Sequence, residues 1–201
     1  MKVATGQPIA SVLAAKPEEG ERAMKMNSTA GLQQLIDREA IRELVLCYSR
    51  AIDRKDMALL RDLYTGDATD QHGPTFTGDA EAFYAMIENS LPQLPYTGHH
   101  VCNHMVNVEG DEGNGEVYAL AWHYIPDPGN SGQMLNDIQI VRYIDNYRRC
   151  ADAKWRFSRR LVTFELHTAQ PFTGDGLLVS GPDDPSYEVC KHALFQRGPR
   201  P

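Results

Sequence analysis

The apolar positions of this 201-residue chain change their period once. Leu32, Leu35, Ile36, Ile41, Leu44, Val45, Tyr48 and Ile52 recur three and four residues apart, with Asp37, Arg38, Arg42 and Glu43 between them. Side chains at that spacing share one face of an α-helix, so a long amphipathic helix is expected, capped by Ser28 or Thr29 and ending near Asp53. A break at Arg54-Lys55-Asp56 leads to a short second helix carrying Leu59, Leu60, Leu63 and Tyr64, which Gly66 terminates. After a turn-rich stretch containing Gly73-Pro74 and Gly78-Asp79, residues 80–91 form a third helix, with Phe83, Met86, Ile87 and Leu91 on one side and Pro92 at its end. Beyond Tyr96 the period becomes two. Strands are expected over residues 97–109, 115–125, 135–147 and 155–167, separated by turns such as Gly110-Asp111-Glu112-Gly113 and Pro126-Asp127-Pro128-Gly129.

Helices followed by long strands on short turns define an α+β class: a curved antiparallel sheet of about four long strands, with the helices of residues 29–91 closing its concave face. The strands are apolar on both sides, for example Val117, Ala119 and Ala121 against Tyr118, Leu120 and Trp122. An uncovered apolar sheet face invites aggregation, so the outer face is expected to be covered in a homodimer or homotrimer. Residues 1–27, rich in Ala, Gly, Pro, Lys and Glu, read as an N-terminal arm, residues 28–170 as one domain, and residues 171–201 as an extension with one short helix.

Composition narrows the partners. With 42% hydrophobic and 23% charged residues the chain can build a packed interior. Its net charge of −7, with Lys and Arg scattered apart from Arg148-Arg149 and Arg159-Arg160, argues against nucleic acid. No apolar run approaches the ~20 residues that span a bilayer, and the first residues lack the apolar core of a signal peptide, so no membrane partner and a cytoplasmic location are expected. Cys47, Cys102, Cys150 and Cys190 lie far apart without a Cys-x-x-Cys pair and read as reduced thiols.

Candidate chemistry concentrates in three segments: Tyr48 to Asp56 at the end of the first helix, Thr97-Gly98-His99-His100 entering the first long strand, and Trp155-Arg156-Phe157 opening the last. An imidazole, with an ordinary pKa near ~6.5, can take or give a proton at neutral pH. His99 and His100 are adjacent on a strand and face opposite sides, so only one can look into a pocket. On strict alternation Val101, Asn103 and Met105 share the side of His99, and Cys102, His104 and Val106 that of His100. Both sets are partly apolar, which leaves the choice open. His100 and His104 lie four apart with Cys102 between and His123 on the next strand, but without a second tight ligand pair no metal is expected.

Over roughly residues 32–167 the chain resembles the SnoaL-like branch of the nuclear transport factor 2-like superfamily, which includes scytalone dehydratase, bile-acid dehydratase, hexachlorocyclohexane dehydrochlorinase, polyketide cyclases and, more distantly, ketosteroid isomerase. Asp53 matches the family's aspartate after the first helix, Thr97-Gly98-His99 its Thr-x-His segment, and Tyr48 a tyrosine five residues before the aspartate. A late arginine of the family falls on Arg156, Arg159 or Arg160. The resemblance implies a cone around a pocket for a small apolar or aromatic molecule, with His99 as proton acceptor or donor, Asp53 orienting it, and Tyr48 donating to a substrate carbonyl. His100, Asn103, Trp122 and His123 are candidate ligand-binding positions. The implied activity is that of a cofactor-independent lyase or isomerase on a polycyclic or aromatic hydroxy-carbonyl compound. The alternative is a non-catalytic binding or scaffold subunit, as in the small subunits of ring-hydroxylating dioxygenases.

Overall fold

A computed structural model of the chain describes residues 28–172 and 181–201. The chain divides after Ile36 into two units, Met1–Ile36 and Asp37–Pro201. Of the first, the described residues are the opening turns of a helix on which Leu32, Leu35 and Ile36 are exposed; the expected arm of residues 1–27 lies outside the described residues. The architecture below is that of the second unit.

Helix α1 (Ser28–Asp53) buries Ile41, Leu44, Val45, Tyr48 and Ile52, the residues its 3.6 period selects. Helix α2 (Met57–Asp62) is capped by the Asp56 carboxylate, which accepts from the Leu59 N–H at 3.1 Å. It stops two residues before the expected Tyr64. There the Leu63 carbonyl accepts from the Phe157 N–H at 2.8 Å, and the chain turns into a strand, β1 (Tyr64–His72), in which Gly66 is a strand residue rather than a helix stop. A hairpin joins β1 to β2 (Phe76–Asp79), and the Asp79 side chain then caps α3 (Ala80–Ser90), followed by a 3-10 turn at Leu91–Gln93.

The long strands are β3 (Tyr96–Glu109), β4 (Glu112–Pro126), β5 (Met134–Arg149) and β6 (Trp155–Pro171), antiparallel in sequence as expected. The curved, unclosed sheet has six strands in the order β2-β1-β6-β5-β4-β3, so β1 and β2 extend the expected set, and β1 runs parallel to β6. A short helix, α4 (Ser186–Val189), lies in the expected extension. Among the described residues no helix is long and apolar enough to cross a membrane.

Two bulges decide what faces the core. In β3 the register shifts between Val101 and His104, so His99 and Val101 face inward and then His104, Val106 and Val108 do, while Met105 is 74% exposed. Strict alternation therefore misplaces Asn103 and Met105. In β6 a shift sets Leu166 opposite Ile140 and Phe164 opposite Val141, which puts Phe164 on the inner face.

The C-terminal segment is tied to the α1–α2 turn. Arg197 donates to the Arg54 and Lys55 carbonyls, Gly198 N–H to Asp56 Oδ2, and Arg200 Nε to Asp62 Oδ2 at 2.8 Å. This turn holds Lys55 at φ 52°, a left-handed conformation that costs a side chain some strain, two residues after Asp53.

Candidate active site

Asp53 ends α1, where the negative pole of the helix dipole makes a carboxylate unwelcome. Strand β3 compensates. Thr97 Oγ1 donates to Asp53 Oδ1 at 2.7 Å, the His99 N–H donates to Oδ2 at 2.9 Å, and His99 Nδ1 lies 2.7 Å from Oδ1. An ionised carboxylate only accepts, so Nδ1 carries the hydrogen and neutral His99 keeps a bare, basic Nε2. Burial pushes the Asp53 carboxyl up, but the hydrogen bonds from His99 and Thr97 and the attraction of the imidazole outweigh it, and its pKa ends below the usual carboxylate value.

That depression fixes a sign. A carboxyl with a lowered folded-state pKa stabilises the fold above its unfolded value of about 3.9 and loses that contribution as pH falls through the folded value. Asp53→Asn is therefore expected to flatten the acid limb of stability below about pH 4. Urea midpoints at pH 3 and pH 6 check this; an unchanged difference between them would show that Asp53 is not held as an anion.

Two further imidazoles share the cavity, each on a buried aspartate. His72 Nδ1 lies 2.5 Å from Asp70 Oδ1, whose other oxygen accepts from Tyr64 OH at 2.9 Å, and the His72 ring stacks on Phe83. His123 Nδ1 lies 3.0 Å from Asp137 Oδ2, and Asp137 also meets Gln139 Nε2 at 2.7 Å and His167 Nε2. The His99 and His123 rings are 5.6 Å apart. Tyr48, 2% exposed, places its hydroxyl 3.4 Å from His72 Nε2. Burial drives its phenol pKa well up, so it stays protonated and able to donate.

These groups surround a cavity of ≈ 120 Å³, walled by Ile52, Ile87, Val141 and Val162. Beneath Tyr48 lies Arg160, its guanidinium 4.1 Å from the Tyr48 ring centre and bonded twice to Asp145 at 2.8 Å. Of the three late arginines it alone is buried; Arg156 bonds Asp62 and Asp152, and Arg159 is exposed. A larger open hollow of ≈ 560 Å³ lies near Arg38, His104 and Glu116. None of the candidate site residues lines it.

Of the four expected ligand-binding positions, His123 alone lines the site cavity. His100 is exposed on the opposite face from His99. Asn103 sits exposed in the β3 bulge. Trp122 lies outward between the inward Ala121 and His123, and donates to Asn136 Oδ1 at 3.1 Å. His72 and Asp70 were not among the expected site residues; their spacing of two, on the same face of a strand, is the signal that would have found them once β1 is recognised.

Solved structures with this fold include a protein described as a putative scytalone dehydratase from Novosphingobium aromaticivorans DSM 12444, 21% identical, covering 74% of this chain and 94% of that one with a TM-score of 0.60. A hexachlorocyclohexane dehydrochlorinase from Novosphingobium barchaimii LL02 is 22% identical, with 76% and 99% covered and a TM-score of 0.60. A nuclear transport factor 2-like protein with a cystatin-like fold from Novosphingobium aromaticivorans is 24% identical, with 70% and 90% covered and a TM-score of 0.54. At these identities the likeness shows the fold. No curated protein matches the chain. The SnoaL-like domain model matches residues 33–161, well over half the sequence, and on that match the chain belongs to the SnoaL-like family.

Proposed function

We propose that the protein is a cofactor-independent lyase or isomerase that removes a proton from carbon beside a carbonyl in a small ring compound. The observation that carries this reading is His99, locked by Asp53 with its basic Nε2 free, on the wall of a largely apolar cavity. In that setting Nε2 takes the proton, Asp53 stabilises the resulting imidazolium, and the Tyr48 hydroxyl donates to the carbonyl oxygen as it gains charge. The imidazolium then returns its proton. Delivered to a β-hydroxyl, it releases water and leaves a conjugated double bond; delivered to another carbon, it completes an isomerisation. Two of the three similar structures, one described as a scytalone dehydratase and the other as a hexachlorocyclohexane dehydrochlorinase, support elimination as the first choice.

A cavity of ≈ 120 Å³ is somewhat smaller than the ~150 Å³ that accommodates benzene, which sets the enclosed space at the scale of a single ring. A second ring of a polycyclic substrate would emerge past Leu94 and Phe164, the apolar lining residues that keep solvent contact. Incubation with monocyclic β-hydroxy ketones, followed by the absorbance of a conjugated enone, tests the reading. Appearance of the enone is expected. Binding of the ring without turnover across the set would favour the alternative, a ligand-binding or scaffold subunit.

Residues 28–170 are proposed to form the domain, with 171–201 as its extension, acting in the cytoplasm as a homodimer or homotrimer. The register puts Leu120 beside Ile140 and Trp122 beside Ile138 on the outer face, where Ile140 and Ile144 are each 37% exposed and Leu166 is 51% exposed. Such a patch is stabilised by a second copy. Light scattering at micromolar concentration should show a multiple of the 22.5 kDa chain mass. A particle of that single mass would refute the assembly.

A further inference from the structure

The Tyr48 hydroxyl has one hydrogen and two acceptors competing for it. One is the carbonyl oxygen of a molecule in the cavity. The other is His72 Nε2, 3.4 Å away. Asp70 decides how His72 presents that nitrogen. It is 1% exposed, accepts from Tyr64 OH, and faces His72 Nδ1 at 2.5 Å. A carboxylate can only accept, so Nδ1 carries a hydrogen whether the ring is neutral or charged. Neutral His72 thus offers a bare Nε2 that captures the Tyr48 hydrogen. Doubly protonated His72 offers Nε2–H, which donates to the Tyr48 oxygen and releases the hydroxyl hydrogen to the cavity.

We propose that His72 is a positioning residue: held by Asp70, it turns the Tyr48 hydroxyl toward the bound molecule when it carries a hydrogen on both ring nitrogens. The proposal rests on the reading of Tyr48 as the donor to substrate. It adds a second imidazole whose required charge is opposite to that of His99, which must be neutral to accept a proton. The active form then has one charged and one neutral histidine, and activity should be confined to the pH range where both conditions hold. The groups around His72 that bias its charge are Asp70 from β1, with Tyr64 on the same carboxylate and Arg160 of β6, paired with Asp145 of β5, opposite it in register, Tyr48 from α1, and His99 and His123 from β3 and β4 on the wall of the same cavity. Helix α3 contributes the Phe83 ring, stacked 5.1 Å from the imidazole, which supplies no charge.

Cyclohex-2-enone, whose carbonyl can only accept, serves as the probe, titrated into the full chain by NMR at pH values either side of the midpoint that the His72 ring signals themselves report. Wild type should bind at least about tenfold tighter on the acid side, since a donor backed by a charged group makes the stronger hydrogen bond. His72→Gln, whose amide can donate to Tyr48 at every pH, should bind with one affinity throughout. Tyr48→Phe should bind weakly throughout, and ring nitrogen shifts should place the neutral His72 hydrogen on Nδ1. If Tyr48→Phe binds as tightly as wild type, Tyr48 is not the donor and the reading of the site falls. If Tyr48→Phe weakens binding but wild-type affinity ignores the His72 midpoint, follows that of His99 or His123 instead, or neutral His72 carries its hydrogen on Nε2, Tyr48 keeps its role and that of His72 is overturned.

Discussion

Replacing His99 with glutamine should lower kcat for enone formation by at least ~100-fold, the usual scale of a general base, while the urea midpoint stays close to wild type. The separation of effects follows from the bonds around Asp53. The Thr97 hydroxyl and the backbone N–H of residue 99 remain in the variant, so the buried carboxylate keeps two of its donors. What disappears is the lone pair of Nε2. KM should change little, because the lost interaction is one that matters as the proton moves. Asp53→Asn should cost at least as much by a different route: an amide in place of the anion no longer holds the Nδ1–H form or stabilises the imidazolium. A His99→Gln enzyme within a few-fold of wild type would remove His99 from the chemistry.

The largest stability loss is expected at Asp145. Arg160 and Asp145 are both 1% exposed, bonded twice to each other, and Tyr147 OH adds a bond to the same carboxylate at 3.1 Å. The guanidinium is otherwise surrounded by the rings of Tyr48, Tyr143 and Phe157, each about 4 Å from its centre. Asp145→Ala leaves that charge buried without its anion, and breaking such a pair costs about 3–5 kcal/mol. Exchanging both partners for apolar residues of similar volume should cost far less than the sum of the single changes, since no charge is then stranded. Denaturant unfolding of the two single variants and the double variant measures this. An Asp145→Ala loss under about 1 kcal/mol would mean that water reaches Arg160. The pair also bears on the site, because Arg160 supports the ring of Tyr48 from below.

The elements that bury one regular face were legible from the sequence: α1 through Ile41, Leu44, Val45 and Tyr48, and the long strands through alternation such as Val117, Ala119 and Ala121. Strand β1 was not. Its inward residues after Tyr64 are Ala68, Asp70 and His72, and an alternation made of a small residue and two polar ones looks like a loop. The residues that make β1 part of the site are the ones that hide it as a strand. The missed bulge at Cys102 and Asn103 has a similar cause: an extra residue leaves no mark in composition, yet it reverses which side chains face inward for the rest of β3. Asp53 and His99 were singled out through the resemblance, whose aspartate at the end of the first helix and Thr-x-His segment they match; the strand pattern alone left His99 and His100 open. That Asp145 and Arg160 meet, from neighbouring strands of a sheet, depends on a register that the residues alone do not specify.

In the proposed reaction His99 takes a proton from carbon beside a carbonyl, and hydrogen–deuterium exchange tests that step without any leaving group. Cyclohexanone incubated with the protein in deuterated buffer and followed by NMR should lose its α-hydrogen signals faster than in buffer alone, and His99→Gln should abolish the acceleration. Equal exchange rates with wild type and His99→Gln, or no acceleration by wild type despite a bound ketone, would contradict the account.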